Sequence, residues 1–253
     1  DASLKRSGSG FLKKQFSSFT EPYNLLNMKV AKLYNKEKKA VKEIEVKPLV
    51  YLYNSHQTEE YAKTTLAEYA VNPTVTINNY IMLDVFQKNN INTITEERSI
   101  REVLNLNSWN YAASYKASRI YMEDVKKEYP SLKYFIDLHR DSLKKDKTTI
   151  QIGDKSYAKI IFLIGLENVN YQKNLAFTEE INNKIGEKYP GLSKGIYKKG
   201  GAGVNGVYNQ DFSPYTILIE IGGCENTTSE VLNTVLAISK VISEVIINNE
   251  QKE

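Results

Sequence analysis

A layered α/β fold, with a mostly parallel, twisted sheet and helices on both faces, is what this 253-residue chain predicts. Three observations carry that expectation. From about residue 47, short β-branched and aromatic runs alternate with longer stretches of helical periodicity. The helical stretches end at Pro130 and at Pro190-Gly191, where the chain cannot continue a helix. An apolar content of 41% suffices for one substantial core, and the longest apolar run, near Ile160–Leu166, is far too short to span a bilayer.

Residues 1–19 (DASLKRSGSGFLKKQFSSF) are polar, rich in Ser and Lys, and expected to be a flexible linker or stalk. Residues 20–46 are expected to be an N-terminal extension packed on the main domain, which takes 47–253. The chain starts at Asp1 without a signal peptide, so it reads as a processed or trimmed fragment whose membrane anchor lies elsewhere. Val50–Tyr53, after Pro48, is a buried-strand signal. Residues 77–89 read as a helix and 91–95 as a short strand. A long helix over Ser108–Tyr129 places Tyr111, Tyr115, Ser118, Met122 and Val125 on one face. LKYFIDL (132–138) is the next strand. Residues 148–164 read as one hairpin, TTIQI and YAKIIFLI, turning at Gly153-Asp154. A helix over 173–188 follows, then a glycine-rich loop, the strand YTILIEI (215–221), and a closing helix over 228–247 with Val231, Val235, Ile238, Ile242 and Val245 on one face.

In open sheets of this kind, ligands gather outside the carboxyl ends of the strands. Both histidines of the chain fall there. His56 follows the first strand, in YNSHQTEEY, and His139 ends another, in DLHRDS. A catalytic zinc takes three ligands of the His/Glu kind and leaves a position for water. His56 and Glu59, spaced H-x-x-E, can converge on one metal, and His139 would complete the set from a neighbouring strand. Glu60 is the rival carboxylate, which spacing does not exclude. Glu220 sits within ILIEIGG, and a carboxylate among Leu218, Ile219 and Ile221 is costly unless paired, liganded or catalytic. It is the expected general base. The competing reading is a solvent-facing residue on an edge strand.

Other classes fit less well. The net charge of +4 is spread mainly over Lys, with no basic stripe interleaved with stacking aromatics, so no nucleic-acid partner is expected. A single cysteine, Cys224, excludes an internal disulfide and a cysteine-based zinc cluster. KKGGAGVNG (198–206) lacks the G-K-[ST] of a phosphate loop and reads as a mobile loop bordering the cleft.

The strings YNSHQTEEY, DLHRDS, GVYNQDFSP and LIEIGGCENTTSE, in that order, resemble the stage II sporulation protein P family over roughly residues 47–247. The resemblance implies a fold like that of zinc N-acetylmuramoyl-L-alanine amidases. It also implies cleavage of the amide between muramic acid and the stem peptide, with endopeptidase activity on cross-links, during endospore engulfment. It further implies peptidoglycan, stage II sporulation proteins D and M as partners, and an extracytoplasmic, membrane-anchored location at the sporulation septum. Carried over residue by residue, the zinc ligands are His56, Glu59 and His139, and the catalytic acid–base group is Glu220. Asn54 stands where many members carry a further His. Asn54, Arg140 and Asn209 are the expected substrate contacts. A zinc carboxypeptidase is the enzyme alternative, and it would need an arginine clamp for a terminal carboxylate, for which Arg140 is the obvious choice. A wall-binding scaffold without catalysis is the third reading.

Overall fold

The computed structural model describes residues 47–63 and 72–252. Expectations for 1–19 and 20–46 lie outside the described residues. Lys47–Glu253 forms one compact unit.

Its centre is a six-stranded sheet. In chain order the elements are β1 (Val50–Tyr53), α1 (Thr76–Lys88), β2 (Thr93–Thr95), α2 (Ile100–Leu106), α3 (Ser114–Glu128), β3 (Tyr134–Asp141), the short α4 (Lys145–Thr148), β4 (Thr149–Ile152), β5 (Lys155–Ala158), β6 (Ile160–Gly165), α5 (Tyr171–Lys188), β7 (Ser193–Lys199), β8 (Tyr215–Gly223) and α6 (Thr228–Glu250). The strand order is β2-β1-β3-β8-β6-β7, with β4 and β5 pairing apart as a hairpin. β2, β1, β3 and β8 run parallel, β6 is antiparallel to β8, and β7 is parallel to β6. The expected mostly parallel α/β sheet is therefore what the chain forms.

Alternation along the strands divides two cores. Val50, Leu52, Tyr134, Ile136, Leu138, Ile217, Ile219 and Ile221 point to one face, where α1, α5 and α6 cover them. Tyr51, Tyr53 and Phe135 point to the other, beneath Met122 and Val125 of α3 and beside Phe212. α6 starts firmly because Thr227 and Glu230 close a reciprocal capping box.

Three local expectations are corrected. YAKIIFLI is two strands: the chain turns at Lys159, whose amide donates to Thr148 O, so β5 stays in the hairpin while β6 enters the main sheet. The apolar run carries no Gly or Pro at the break, which hides it. The stretch read as loop after Gly191 begins with β7, an edge strand whose lysines give it a polar pattern. The long helix over 108–129 is shorter, since Ser108 is left-handed (φ 54°) and a 3₁₀ turn over Tyr111–Ala113 precedes α3. α2 was not expected; Ser99 caps it by accepting the Glu102 amide.

A candidate metal centre at the carboxyl edge of the sheet

β1, β3 and β8 end side by side, and their carboxyl ends bring the candidate residues together. β1 hands the chain to a turn carrying His56 and Glu59. β3 carries Asp137 and His139 on one face, two residues apart. β8 sets Glu220 in register with His139. β8 is an internal strand, so the solvent-facing edge position is excluded for Glu220.

His56, Glu59 and His139 offer ligand atoms that all lie within 4.8 Å of one another. Glu59 is the hub. Its two oxygens lie 3.5 Å from His56 Nδ1 and 3.5 Å from His139 Nδ1. Its Oε2 also accepts the Arg140 amide at 3.0 Å. That amide is free because β3 shifts register between His139 and Asp141, the kind of bulge that re-aims groups near a site. The rival carboxylate, Glu60, instead accepts from Asn72 and is not in the cluster.

The other ring nitrogen of His139 is fixed from behind. Nε2 lies 2.9 Å from Asp137 Oδ1 and 3.0 Å from Ser55 Oγ. Asp137 is fully buried and also accepts the Ser55 amide at 2.9 Å and hydroxyl at 2.7 Å. A donor from Nε2 to Asp137 leaves Nδ1 as the nitrogen that faces Glu59, the arrangement by which outer carboxylates orient metal-binding histidines. Sequence reading missed Asp137 and Ser55. The signal was present in D-x-H, since period-two alternation puts both side chains on one face of β3.

Electrostatics follow from burial and these neighbours. Burial works to raise the Glu59 carboxyl, but hydrogen bonds from His139 and His56 outweigh it and hold the group well below the usual carboxylate range. For His139, burial opposes the charged form, yet Asp137 and Glu59 raise its pKa well above the usual imidazole value. Glu220 is pushed up to about 8, chiefly by burial, with Glu59, Asp141 and Asp137 adding to it and His139 opposing. Its Oε2 is buried without a hydrogen-bond partner among the described residues. The donors fit a zinc ion: two imidazoles and a carboxylate converge, one imidazole is backed by Asp137, and a buried carboxylate oxygen beside them has nothing to bind.

Tyrosines wall the cluster. The Tyr111 ring stacks on His56 with centroids 4.8 Å apart, and Tyr115 lies 5.1 Å from His56 and 6.3 Å from His139. Tyr208 meets the edge of Tyr115 at 5.4 Å. Burial, with Asp137 and Glu220 nearby, holds the Tyr115 hydroxyl neutral.

The expected substrate contacts behave differently. Asn54 is 1% exposed, and its amide donates to Leu138 O at 2.6 Å, which ties β1 to β3 and keeps it from the cleft. Asn209 is buried too, with its amide on Tyr115 O at 2.9 Å and Ser118 Oγ at 3.0 Å. It docks the 205–214 loop onto α3. Arg140 directs its guanidinium to the carbonyls of Glu60, at 2.9 Å, and Asp141, at 3.2 Å, so it braces the His56–Glu60 turn. The glycine-rich segment is anchored by Glu167, which accepts the Gly201 amide at 2.6 Å and donates its own amide to Gly206 O at 2.9 Å. It leads into Tyr208, beside the tyrosine wall.

Known proteins resemble this chain at two levels. A family model described as Stage II sporulation protein P matches residues 13–243. Stage II sporulation protein P of Bacillus subtilis (strain 168) is 34% identical over 207 residues, covering 79% of this chain and 51% of the relative. The chain thus spans about half the length of that curated relative. Among solved structures, the CwlD amidase from Clostridioides difficile in complex with the GerS lipoprotein superposes with a TM-score of 0.50 at 9% identity, over 81% of this chain and 100% of that one. At that identity the likeness shows the shared fold alone.

Proposed function

The chain belongs to the stage II sporulation protein P family, and on that premise we propose that it is a zinc-dependent hydrolase of peptidoglycan. The bond cut is the amide between N-acetylmuramic acid and the stem peptide, with stem-peptide cross-links as a further target during endospore engulfment. One observation carries the reading. A buried, unpartnered Glu220 oxygen lies beside a convergent His56–Glu59–His139 set at the carboxyl edge of an amidase-like sheet.

His56, Glu59 and His139 would hold the zinc. When bound, it polarises the scissile carbonyl and makes water acidic enough to attack near neutral pH. Asp137 and Ser55 keep His139 presenting Nδ1. Arg140 holds the turn that carries Glu59. Glu220 takes the proton of the attacking water and delivers it to the nitrogen as the carbon–nitrogen bond breaks, leaving a carboxylic acid and an amine. A cation among these groups favours ionised Glu220, which burial alone opposes. Tyr111, Tyr115 and Tyr208 exclude bulk water from one side. In this reading the protein acts outside the cytoplasm, membrane-anchored at the sporulation septum, and works with stage II sporulation proteins D and M.

The test is mass spectrometry of purified peptidoglycan digested by the chain, with and without a chelator. Free stem peptides bearing a new N-terminus, lost on chelation and restored by zinc, are expected. An unchanged wall under zinc-replete conditions overturns the proposal.

A further inference from the structure

Beside the cluster lies a cavity that the chemistry above leaves unused. Its volume is about 40 Å³, and its lining includes Gln57 and Thr58 next to His56, Ile100 and Leu104 of α2, Arg101, and Tyr111. Gln57 fixes its shape, accepting the Ile100 amide at 2.8 Å and donating to Arg98 O at 2.8 Å. Tyr111 is the wall shared with the metal cluster, stacked on His56.

Arg101 is the unusual member. Four arginines lie in the described residues. Arg98 pairs with Glu96 and Asp124, and Arg119 with Glu123 and Asp211. Arg140 is engaged by main-chain carbonyls. Arg101 makes no hydrogen bond or ion pair with any described residue. Arg101 stands in the first turn of α2 and lines the cavity with Gln57, Thr58 and Tyr111.

We propose that this cavity is a subsite for a carboxylate borne by the peptide within two residues of the scissile amide, with Arg101 as its cation. The subsite rests on the amidase reading and adds a substrate determinant to it. Size is compatible: roughly 10–15 Å³ of such space holds one water-sized atom, so the cavity suits a group of about three heavy atoms. Charge agrees. Arg101 is the charged side chain of the lining, and no described carboxylate pairs with it, so the cavity offers an anion an unneutralised guanidinium. A guanidinium offers two parallel donors matched to a carboxylate. Ile100 and Leu104 lower the local dielectric, which strengthens such a pair once water leaves.

The experiment uses the zinc-loaded chain and two probes. One is a muramyl dipeptide with a free carboxylate on its second residue. The other is the same compound with that group converted to a carboxamide. Calorimetric affinity and initial rates of amide cleavage are both measured. The parent should bind the carboxylate probe about tenfold or more tightly than the carboxamide, the usual worth of a charged hydrogen bond. Arg101→Ala should remove that preference by raising KM for the carboxylate probe alone, with kcat within about threefold, and Arg101→Lys should restore part of it as a point charge. Arg101 is on the surface, so circular dichroism and thermal midpoint should match the parent. Equal affinity of the parent for both probes, or an equal loss on both in Arg101→Ala, overturns the subsite while hydrolysis stands. A parent that neither binds nor cleaves either probe overturns the amidase reading and the subsite with it.

Discussion

The two faces of the sheet are built from the same strands and have opposite characters. On one, Ile136, Leu138, Ile217, Ile219 and Ile221 are sealed by the aliphatic sides of α1, α5 and α6. On the other, Tyr51, Tyr53 and Phe135 lie under a single helix, α3, and the row continues upward into Asp137, His139 and Glu220. Adjacent residues therefore serve separate ends. Ile219 supports the fold, and Glu220, one step along β8, faces the His56–Glu59–His139 cluster. Period-two alternation separates stability from chemistry within a single strand.

The sharpest way to break the comparison is to change those neighbours one at a time. Glu220→Gln should lower turnover by about 10²–10⁴-fold, the worth of a positioned acid–base group, while leaving zinc content and thermal midpoint near the parent's. Its buried oxygen has no hydrogen-bond partner to lose. A variant that empties of zinc would make Glu220 a ligand, and one that hydrolyses at the parent's rate would move the proton transfer to another group, Asp141 first.

Ile219→Ala should do the reverse. The side chain is fully buried in the aliphatic face, so truncation should cost about 2–5 kcal/mol in urea or thermal unfolding. The molecules still folded should bind zinc with the parent's affinity. Loss of zinc in proportion to nothing but the substitution, with stability unchanged, would join the two faces that alternation separates.

Asp137→Asn tests how far the polar face is organised behind His139. An amide can still accept from Ser55, but it no longer offers His139 Nε2 a charged acceptor. Zinc affinity, read by competition with a chromogenic chelator, should fall about 10–100-fold, the typical effect of losing an outer carboxylate. Circular dichroism checks that the fold is kept. Unchanged affinity would reduce Asp137 to a link between β3 and the turn after β1.

These residues also show what was readable in the sequence. His56, Glu59, His139 and Glu220 stood out because a carboxylate in an apolar strand and histidines at strand ends are unusual for their surroundings, and the structure gathers them at one edge. Asp137 is less legible although D-x-H marks it, because a buried Asp acting only through His139 and Ser55 has no ligand spacing of its own. Asn54, Arg140 and Asn209 show the opposite limit. Their types suit substrate contact, but their hydrogen bonds go to Leu138 O, Glu60 O and Tyr115 O, and a main-chain partner 80 or more residues away leaves no local pattern. β7 and the β5–β6 break failed for related reasons: an edge strand has no buried face to show, and a strand can change sheets within a uniformly apolar run.

The smallest effect belongs to the cap that anchors the aliphatic face. Glu230 closes the first turn of α6. It accepts from the Thr227 amide at 2.9 Å, from Asn226 at 3.1 Å and from Ser156 at 3.1 Å, and pairs with Lys145 at 2.9 Å. Burial works to raise its carboxyl, but these bonds overcome it and lower the pKa to about 2. A carboxylate depressed by folding stabilises the native state fully above its unfolded pKa, roughly 4.3, and that support disappears as pH falls toward the folded value. Comparing the parent with Glu230→Gln isolates this group from every other titrating carboxylate. At pH 7 the variant should be less stable by about 1 kcal/mol, the usual worth of a helix cap. The gap should close between about pH 4.5 and 2, because the parent's Glu230 becomes protonated over that interval and then resembles the amide. Catalysis at pH 7 should be unaffected, since α6 lies on the face away from the cluster. A stability gap that stays constant down to pH 2 would show that Glu230 acts through hydrogen bonds an amide cannot make, with its charge contributing nothing.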